Sequence, residues 1–289
     1  MRINATCPEG IGKVGRLHRA WSRGGRSNNT LNLRDETAMC VGQEYRNEKP
    51  EPNRMKDYPH AWLREYHRES TDVPRHATAD RVMSDSMTGV ILAGGESRRM
   101  GVDKSFLDLG GRPIIEHVVD ILTESFPRVF IITNDPDKYE RFGVPMLPDV
   151  IPGVGTLGGI HAGLHSLEDR AAFFVASDMP FIRPGVIDYL TDAFHDTDAV
   201  VPCLAGYYEP LLAVYSKECL VHAERAIAEQ KRRPVEFLEG VRMRKVLEDE
   251  LCPIDPGLLS IFNINTPDDY VRACELYEEE GGIFRRECA

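Results

Sequence analysis

The chain has 289 residues, is 42% hydrophobic and carries a formal net charge of −11. That apolar content suffices for a packed core and excludes wholesale disorder, and no apolar run approaches the roughly 18 residues that a membrane-crossing helix needs. An acidic balance argues against general nucleic-acid binding, because duplex affinity is built mainly from phosphate neutralisation.

The charge is unevenly spread. Residues 1–86 hold 15 Lys/Arg against 12 Asp/Glu, whereas residues 87–289 hold 20 against 34. The first segment shows little sustained periodicity, and Gly24–Asn29 and Glu48–Asn53 are polar, loop-forming stretches. Residues 1–86 are therefore expected to be a disordered N-terminal extension or sequence upstream of the true start, with Met87 as an alternative start. A basic tail that docks a partner is the functional alternative. The N-terminus lacks the layout of a secretory signal. The seven cysteines are scattered without a C-x-x-C pair, which fits reduced thiols in a cytoplasmic chain.

From Thr88 onward, short apolar runs alternate with helix-period segments. Strands are expected at Gly89–Leu92, Val129–Thr133, Ala172–Ser177 and Ala199–Pro202, and helices from Pro113, near Gly158–Leu167 and near Pro184–Phe194. In the helix from Pro113, Ile115, Val118, Val119 and Leu122 fall on one buried stripe. Residues 207–215 read as a strand with Pro210 at an edge or bulge. Thr266-Pro267-Asp268-Asp269 resembles a capping box opening a last helix, with Val271, Cys274 and Tyr277 as its inward face. The alternation predicts a three-layer α/β domain over residues 87–289, Rossmann-like, with a mostly parallel central sheet. His161 and His165 stand four apart, but without a Glu or Cys in ligand spacing they do not make a convincing metal pair.

The loop after the first strand carries the chemistry. Leu92-Ala93-Gly94-Gly95-Glu96-Ser97-Arg98-Arg99-Met100-Gly101-Val102-Asp103-Lys104 combines glycines, which let the backbone approach an anion, with up to three positive side chains. At the carboxyl end of a strand in an open α/β sheet this predicts phosphate binding. The spacing matches neither G-x-x-x-x-G-K-[ST] nor G-x-G-x-x-G, which disfavours a Walker-type ATPase and a dinucleotide dehydrogenase. Asp178 follows an apolar strand and faces the same crevice. It is a candidate magnesium ligand, or alternatively a helix N-cap.

This loop closely resembles the signature of molybdenum cofactor guanylyltransferases, MobA-type members of the nucleotide-diphospho-sugar transferase fold. The resemblance continues through Pro148-Asp149, Gly155-Thr156-Leu157-Gly158-Gly159-Ile160, Ser177-Asp178-Met179-Pro180-Phe181, Glu209-Pro210-Leu211 and Phe262-Asn263-Ile264-Asn265-Thr266-Pro267. It implies transfer of GMP from GTP to the terminal phosphate of molybdopterin, with release of pyrophosphate and with Mg2+ as cofactor. It also implies Arg99, Lys104 and Asp178 as catalytic groups, and Leu92, Ala93, Gly94, Gly95, Lys104, Asp149 and Asp178 as nucleotide-binding positions. Asp178 would hold the metal, and Tyr208, Pro210, Arg233, Asn263 and Asn265 would shape the acceptor side. Transient contact with cofactor-synthesis or molybdoenzyme partners is a further expectation. Related cytidylyltransferases usually have Leu-Ala-Ala-Gly where this chain has Leu92-Ala93-Gly94-Gly95, so the missing Cβ at Gly94 is expected to favour a purine. The chain departs from the family pattern at Thr156, where proline is common, and only Asn134 could supply the second-strand asparagine of some members. Use of CTP or of another phosphorylated acceptor, and a nucleotide-responsive binding protein without turnover, remain as alternatives.

Overall fold

The computed structural model describes residues 87–94 and 103–279. The expectations for residues 1–86, and those for Gly95, Arg98 and Arg99, lie outside the described residues. The ten strands among the described residues are β1 (Thr88–Leu92), β2 (Asp108–Leu109), β3 (Arg112–Pro113), β4 (Arg128–Ile132), β5 (Met146–Leu147), β6 (Ala171–Ala176), β7 (Ala199–Leu204), β8 (Tyr207–Tyr208), β9 (Leu212–Ser216) and β10 (Met243–Leu247). The α-helices are α1 (Ile114–Ser125), α2 (Thr156–His165), α3 (Pro184–Asp192), α4 (Cys219–Ala228), α5 (Glu248–Leu251) and α6 (Pro267–Glu279).

Eight strands form one sheet in the order β10-β7-β9-β6-β1-β4-β5, with β8 paired to β7. β1 runs parallel to β4 and β6, β4 to β5, and β10 to β7; β9 is antiparallel to both β6 and β7. The mostly parallel sheet follows from fully buried apolar runs such as Ala171–Ala176, which suit strands covered on both faces. Side chains alternate across it. Val90, Leu92, Ala172 and Phe174 join a core with Leu157, Ile160 and Leu164 of α2 and Ala223 of α4. On the other face a Cβ on Gly89 would meet Phe126 and Leu122 of the α1 segment, and Phe126 stacks on Phe173 at 5.5 Å.

Chain order sets the site. The chain passes outward from β1 to β4 and β5, then returns to the other side of β1 as β6. This reversal is a topological switch point, where ligands bind beyond the strands' carboxyl ends in open α/β sheets. Ala93 and Gly94, the described residues just beyond β1, therefore stand at the crevice between β4 and β6.

Two expectations need correction. Residues 207–215 are not one strand: β8 ends at Tyr208 and β9 begins at Leu212, and the intervening corner is held by Tyr215 Oη donating to the Pro210 carbonyl at 2.8 Å. In α6 the buried residues are Asp269, Ala273, Leu276 and Tyr277, whereas Val271 is 56% exposed and Cys274 only partly buried. The capping box itself forms: Asp269 Oδ2 accepts from Thr266 N at 2.9 Å, and Asp269 N donates to Thr266 Oγ1 at 3.2 Å. The buried face runs through Asp269, Ala273, Leu276 and Tyr277 and sets the Tyr277 ring against Gly110, where an added Cβ would lie 2.1 Å from Cε1.

Packing against α2 is equally tight. A Cβ at Gly163 would sit 2.6 Å from Phe174 Cε1 and 3.2 Å from Val90 Cγ1, and Phe174 is fully buried edge-on to Tyr215. Gly163→Val therefore gains some helix propensity but overpacks a core that cannot give, and should lower unfolding free energy by about 2–3 kcal/mol. A urea midpoint equal to or above that of the wild type would contradict this packing.

Candidate active site

Four strand ends define the crevice. Beyond β1 come Ala93 and Gly94; beyond β4, Thr133 and Asn134; beyond β5, Pro148 and Asp149; beyond β6, Ser177 and Asp178. The Leu92 carbonyl accepts from Ser177 N at 3.1 Å and Ala93 N donates to the Ile132 carbonyl at 3.0 Å. These bonds extend the sheet by one residue and leave the Ala93 carbonyl and Gly94 N–H just beyond it. A Cβ at Gly94 would meet nothing within 4 Å among the described residues.

The β1 loop returns at Asp103, whose carboxylate accepts from Ser105 N and caps a short 3-10 turn, Lys104–Phe106. Ser105 is buried and its hydroxyl lies 2.8 Å from that of Ser177, tying the turn to the end of β6. This aims Lys104 into the crevice. Its Nζ donates to Asp178 Oδ2 and to Asn265 Oδ1, both at 2.9 Å, and the Lys104 and Asp178 side chains are only 18% and 19% exposed. Asn265 is held by its own N–H donating to Asp269 at the start of α6, and Ile264 N donates to the Asp178 carbonyl at 3.1 Å. Asp178 is not a helix cap: α3 starts at Pro184, with Arg183 at its N-cap.

Asn134 and Asp149 form a reciprocal pair. Asn134 Nδ2 donates to Asp149 Oδ2 at 2.8 Å and Asp149 N donates to Asn134 Oδ1 at 3.0 Å, joining the loops after β4 and β5. Asn134, the residue expected to stand in for a second-strand asparagine, lies two residues beyond the end of β4. Asp149 also lies against α2, its Oδ1 3.9 Å from where a Cβ on Gly159 would be. Gly155 precedes α2 with φ 76° and ψ −147°, a conformation essentially reserved for glycine. It lets the chain turn sharply from Asp149 into the helix despite Thr156 in place of proline.

The acceptor-side expectations divide. Asn263 flanks the Ile264 contact with Asp178, and its buried Oδ1 has no hydrogen-bond partner among the described residues. Tyr208 and Pro210 lie in the corner between β7 and β9, with Lys245 Nζ 5.3 Å from the Tyr208 ring centre. Arg233 is bonded within its own turn, to Glu236, while its neighbour Arg232 reaches the Gly153 carbonyl at 3.2 Å. His161 is buried and stacks on His165 at 5.9 Å, and Glu224 of α4 comes within 4.0 Å of its Nε2. Burial lowers the His161 pKa. Among the described residues no cluster of three or more His, Cys, Asp or Glu is arranged to hold a metal ion.

Sequence reasoning assigned no role to Ser105, Ser177 or Glu209. Glu209 begins the Glu-Pro-Leu motif, and its Oε1 accepts from Leu211 N at 3.1 Å. Its carboxyl is pushed up to about 7, first by burial and also by the negative charge of Asp178, against the opposing effect of the Leu211 N–H. Two carboxylates thus share this end of the sheet with Lys104. The Asp178 and Asn265 oxygens already converge on one cation, the ammonium, and hard oxygen donors of this kind suit magnesium.

A crevice at a switch point of an α/β sheet, lined by a lysine, a carboxylate and two loop-bridging polar pairs, suits an anionic, phosphate-bearing ligand. The comparisons place it further. The family described as MobA-like NTP transferase domain matches residues 89–245, and the chain belongs to that family. It is 39% identical over 186 residues to a "Probable molybdenum cofactor guanylyltransferase" of Pelotomaculum thermopropionicum, covering 64% of this chain and 91% of the relative. It is 38% identical over 191 residues to the molybdenum cofactor guanylyltransferase of Desulfosudis oleivorans, covering 65% and 95%. Among solved structures, the molybdopterin-guanine dinucleotide biosynthesis protein A of Archaeoglobus fulgidus superposes with a TM-score of 0.61 at 33% identity, covering 67% of this chain and all of that one.

The raised Glu209 pKa has a measurable consequence. With a pKa of 4.5 when unfolded and about 7 when folded, the carboxyl binds its proton more tightly in the folded state. Its contribution is full below pH 4.5 and is lost as pH rises to about 7, a fall of on the order of 1–3 kcal/mol. Melting curves in metal-free buffer at pH 5 and 7.5 should show Glu209→Gln with a smaller drop than the wild type. Equal drops would contradict the assignment.

Proposed function

We propose that the chain transfers GMP from GTP to the terminal phosphate of molybdopterin, forming the guanine dinucleotide cofactor and releasing pyrophosphate. The observation that carries this reading is the convergence of Lys104, Asp178 and Asn265 at the switch-point end of the sheet. Names of relatives at 38–39% identity support the base and the acceptor.

In the reaction, an oxygen of the acceptor phosphate attacks the α-phosphorus of GTP while the bond to the bridging oxygen of pyrophosphate breaks. Both partners are anionic, so the protein's task is alignment and neutralisation of charge rather than covalent catalysis. Lys104, which donates to Asp178 and sits in a turn tied to β6 by the Ser105–Ser177 bond, is proposed to leave Asp178 for the phosphates of the incoming nucleotide. Arg99, in the same glycine-rich loop, is proposed to add a second positive charge. The Asn134–Asp149 pair and the backbone at Ala93–Gly94 are proposed to hold the nucleoside. Asp178, with Asn265 beside it, would hold Mg2+, which when bound supplies charge stabilisation to phosphate oxygens. Asn263, with its unpartnered buried oxygen, is the best-supported acceptor contact.

The test is magnesium-dependent pyrophosphate release from GTP, CTP and ATP, each with and without molybdopterin. Release only with GTP plus molybdopterin is expected. Efficient use of CTP would discard the guanine assignment, and tight GTP binding without turnover would make the chain a nucleotide-responsive binding protein. Lys104→Ala should lower kcat by about 10²–10³-fold, the cost of one preorganised electrostatic donor. Asp178→Asn should remove most magnesium-dependent turnover, and normal activity in either variant would defeat its role.

A further inference from the structure

Glu209 lies outside the roles assigned above, yet its placement is highly constrained. β6 and β9 are antiparallel, and their ladder ends where Ala176 N donates to the Leu211 carbonyl at 3.0 Å. Asp178 and Glu209 each stand two residues beyond that last pair, at the same end of neighbouring strands. They are close enough for the negative charge of Asp178 to be felt at Glu209.

The corner that carries Glu209 is rigid. Glu209 N donates to the Pro202 carbonyl of β7 at 2.9 Å, Pro210 has a fixed φ, and the fully buried Tyr215 bonds the Pro210 carbonyl at 2.8 Å. The carboxylate is thus held by scaffold bonds, yet among the described residues only one neutral donor, Leu211 N, reaches it. A partly buried carboxylate has capacity for about four hydrogen bonds and is costly to leave underused. Magnesium keeps several of its waters when bound by one or two protein ligands, and such waters are strong donors. Carboxylates set behind the direct ligands commonly orient a metal's coordination sphere.

We propose that Glu209 is a positioning residue for the divalent cation at Asp178, accepting hydrogen bonds from waters bound to that cation and so fixing its coordination. This rests on the reading of Asp178 as the cation's carboxylate. Glu209 does not touch the metal or the reacting phosphates. It compensates the cation's charge while Lys104 moves from Asp178 to the nucleotide.

The experiment is Mn2+ binding to the full chain, followed by the electron paramagnetic resonance of free Mn2+ in the presence of GTP and absence of acceptor. Glu209→Gln keeps the shape of the side chain and an oxygen for Leu211 N, so it should stay folded. It should weaken Mn2+ binding about 10-fold, at the lower end of the usual effect of such partners, with GTP affinity in metal-free buffer unchanged. Glu209→Asp, which keeps the charge but withdraws it by one methylene, should fall between the two, and it carries the test if the Gln variant does not fold. Unchanged Mn2+ affinity in the folded Glu209 variants, alongside weakened binding in Asp178→Asn, would overturn the role of Glu209 alone. Unchanged binding in Asp178→Asn would overturn the metal reading itself.

Discussion

The ammonium of Lys104, held between Asp178 Oδ2 and Asn265 Oδ1, is the contact on which the site's organisation depends. It joins the loop after β1, the end of β6 and the segment before α6, which are far apart in the chain. A lysine and a carboxylate at 18% and 19% exposure are not a strong source of stability, because desolvation offsets much of their attraction. Their value lies in alignment. The pair holds a positive and a negative group side by side at the switch-point end of the sheet, and in the proposed function each takes a different partner, phosphate for Lys104 and the cation for Asp178. An enzyme that joins two anions needs such charge set in advance, since reorganising it during the reaction would raise the barrier.

The sheet order makes that contact available. Because β4 and β6 flank β1 and run with it, four adjacent strand ends point the same way, and the loops leaving them share one crevice. The bonds beyond the ladder then lock those loops to each other: Asn134 with Asp149 on one side, Ser105 with Ser177 and Ile264 with Asp178 on the other. The loops beyond β4 and β5 are thus tied to each other, and the turn at Lys104 is tied to the end of β6. In the proposed function the acceptor half draws on the Tyr208–Pro210 corner and on the Asn263–Asn265 segment, both attached to the antiparallel or helical margins of the fold.

The parts legible in the sequence were those written in local pattern. Unbroken apolar runs such as Ala171–Ala176 announce buried parallel strands, and the Thr266–Asp269 spacing announces a cap whose bonds are present. Gly94 and Asp178 could be placed just beyond strand ends for the same reason. What escaped depends on tertiary partners. The face of α6 is decided by Tyr277 packing on Gly110 and by the buried Asp269, so a stripe drawn through Val271 misses it. The break at Pro210 depends on the Tyr215 hydroxyl, and the weight of Asn265 depends on a lysine 161 positions away. Glu209 was visible as a motif letter, but its character comes from burial beside Asp178, which no local pattern encodes.

The most direct measurement is a crystal structure with Mn2+ and a GTP analogue that cannot be cleaved between its α- and β-phosphates, with the metal located by its anomalous scattering. The account predicts a Mn2+ peak within about 2.2 Å of an Asp178 oxygen, a distance expected for such a hard cation on oxygen, with Lys104 Nζ moved onto a phosphate oxygen. A metal peak elsewhere in the crevice, with Lys104 still bridging Asp178 and Asn265, would contradict the account at its centre.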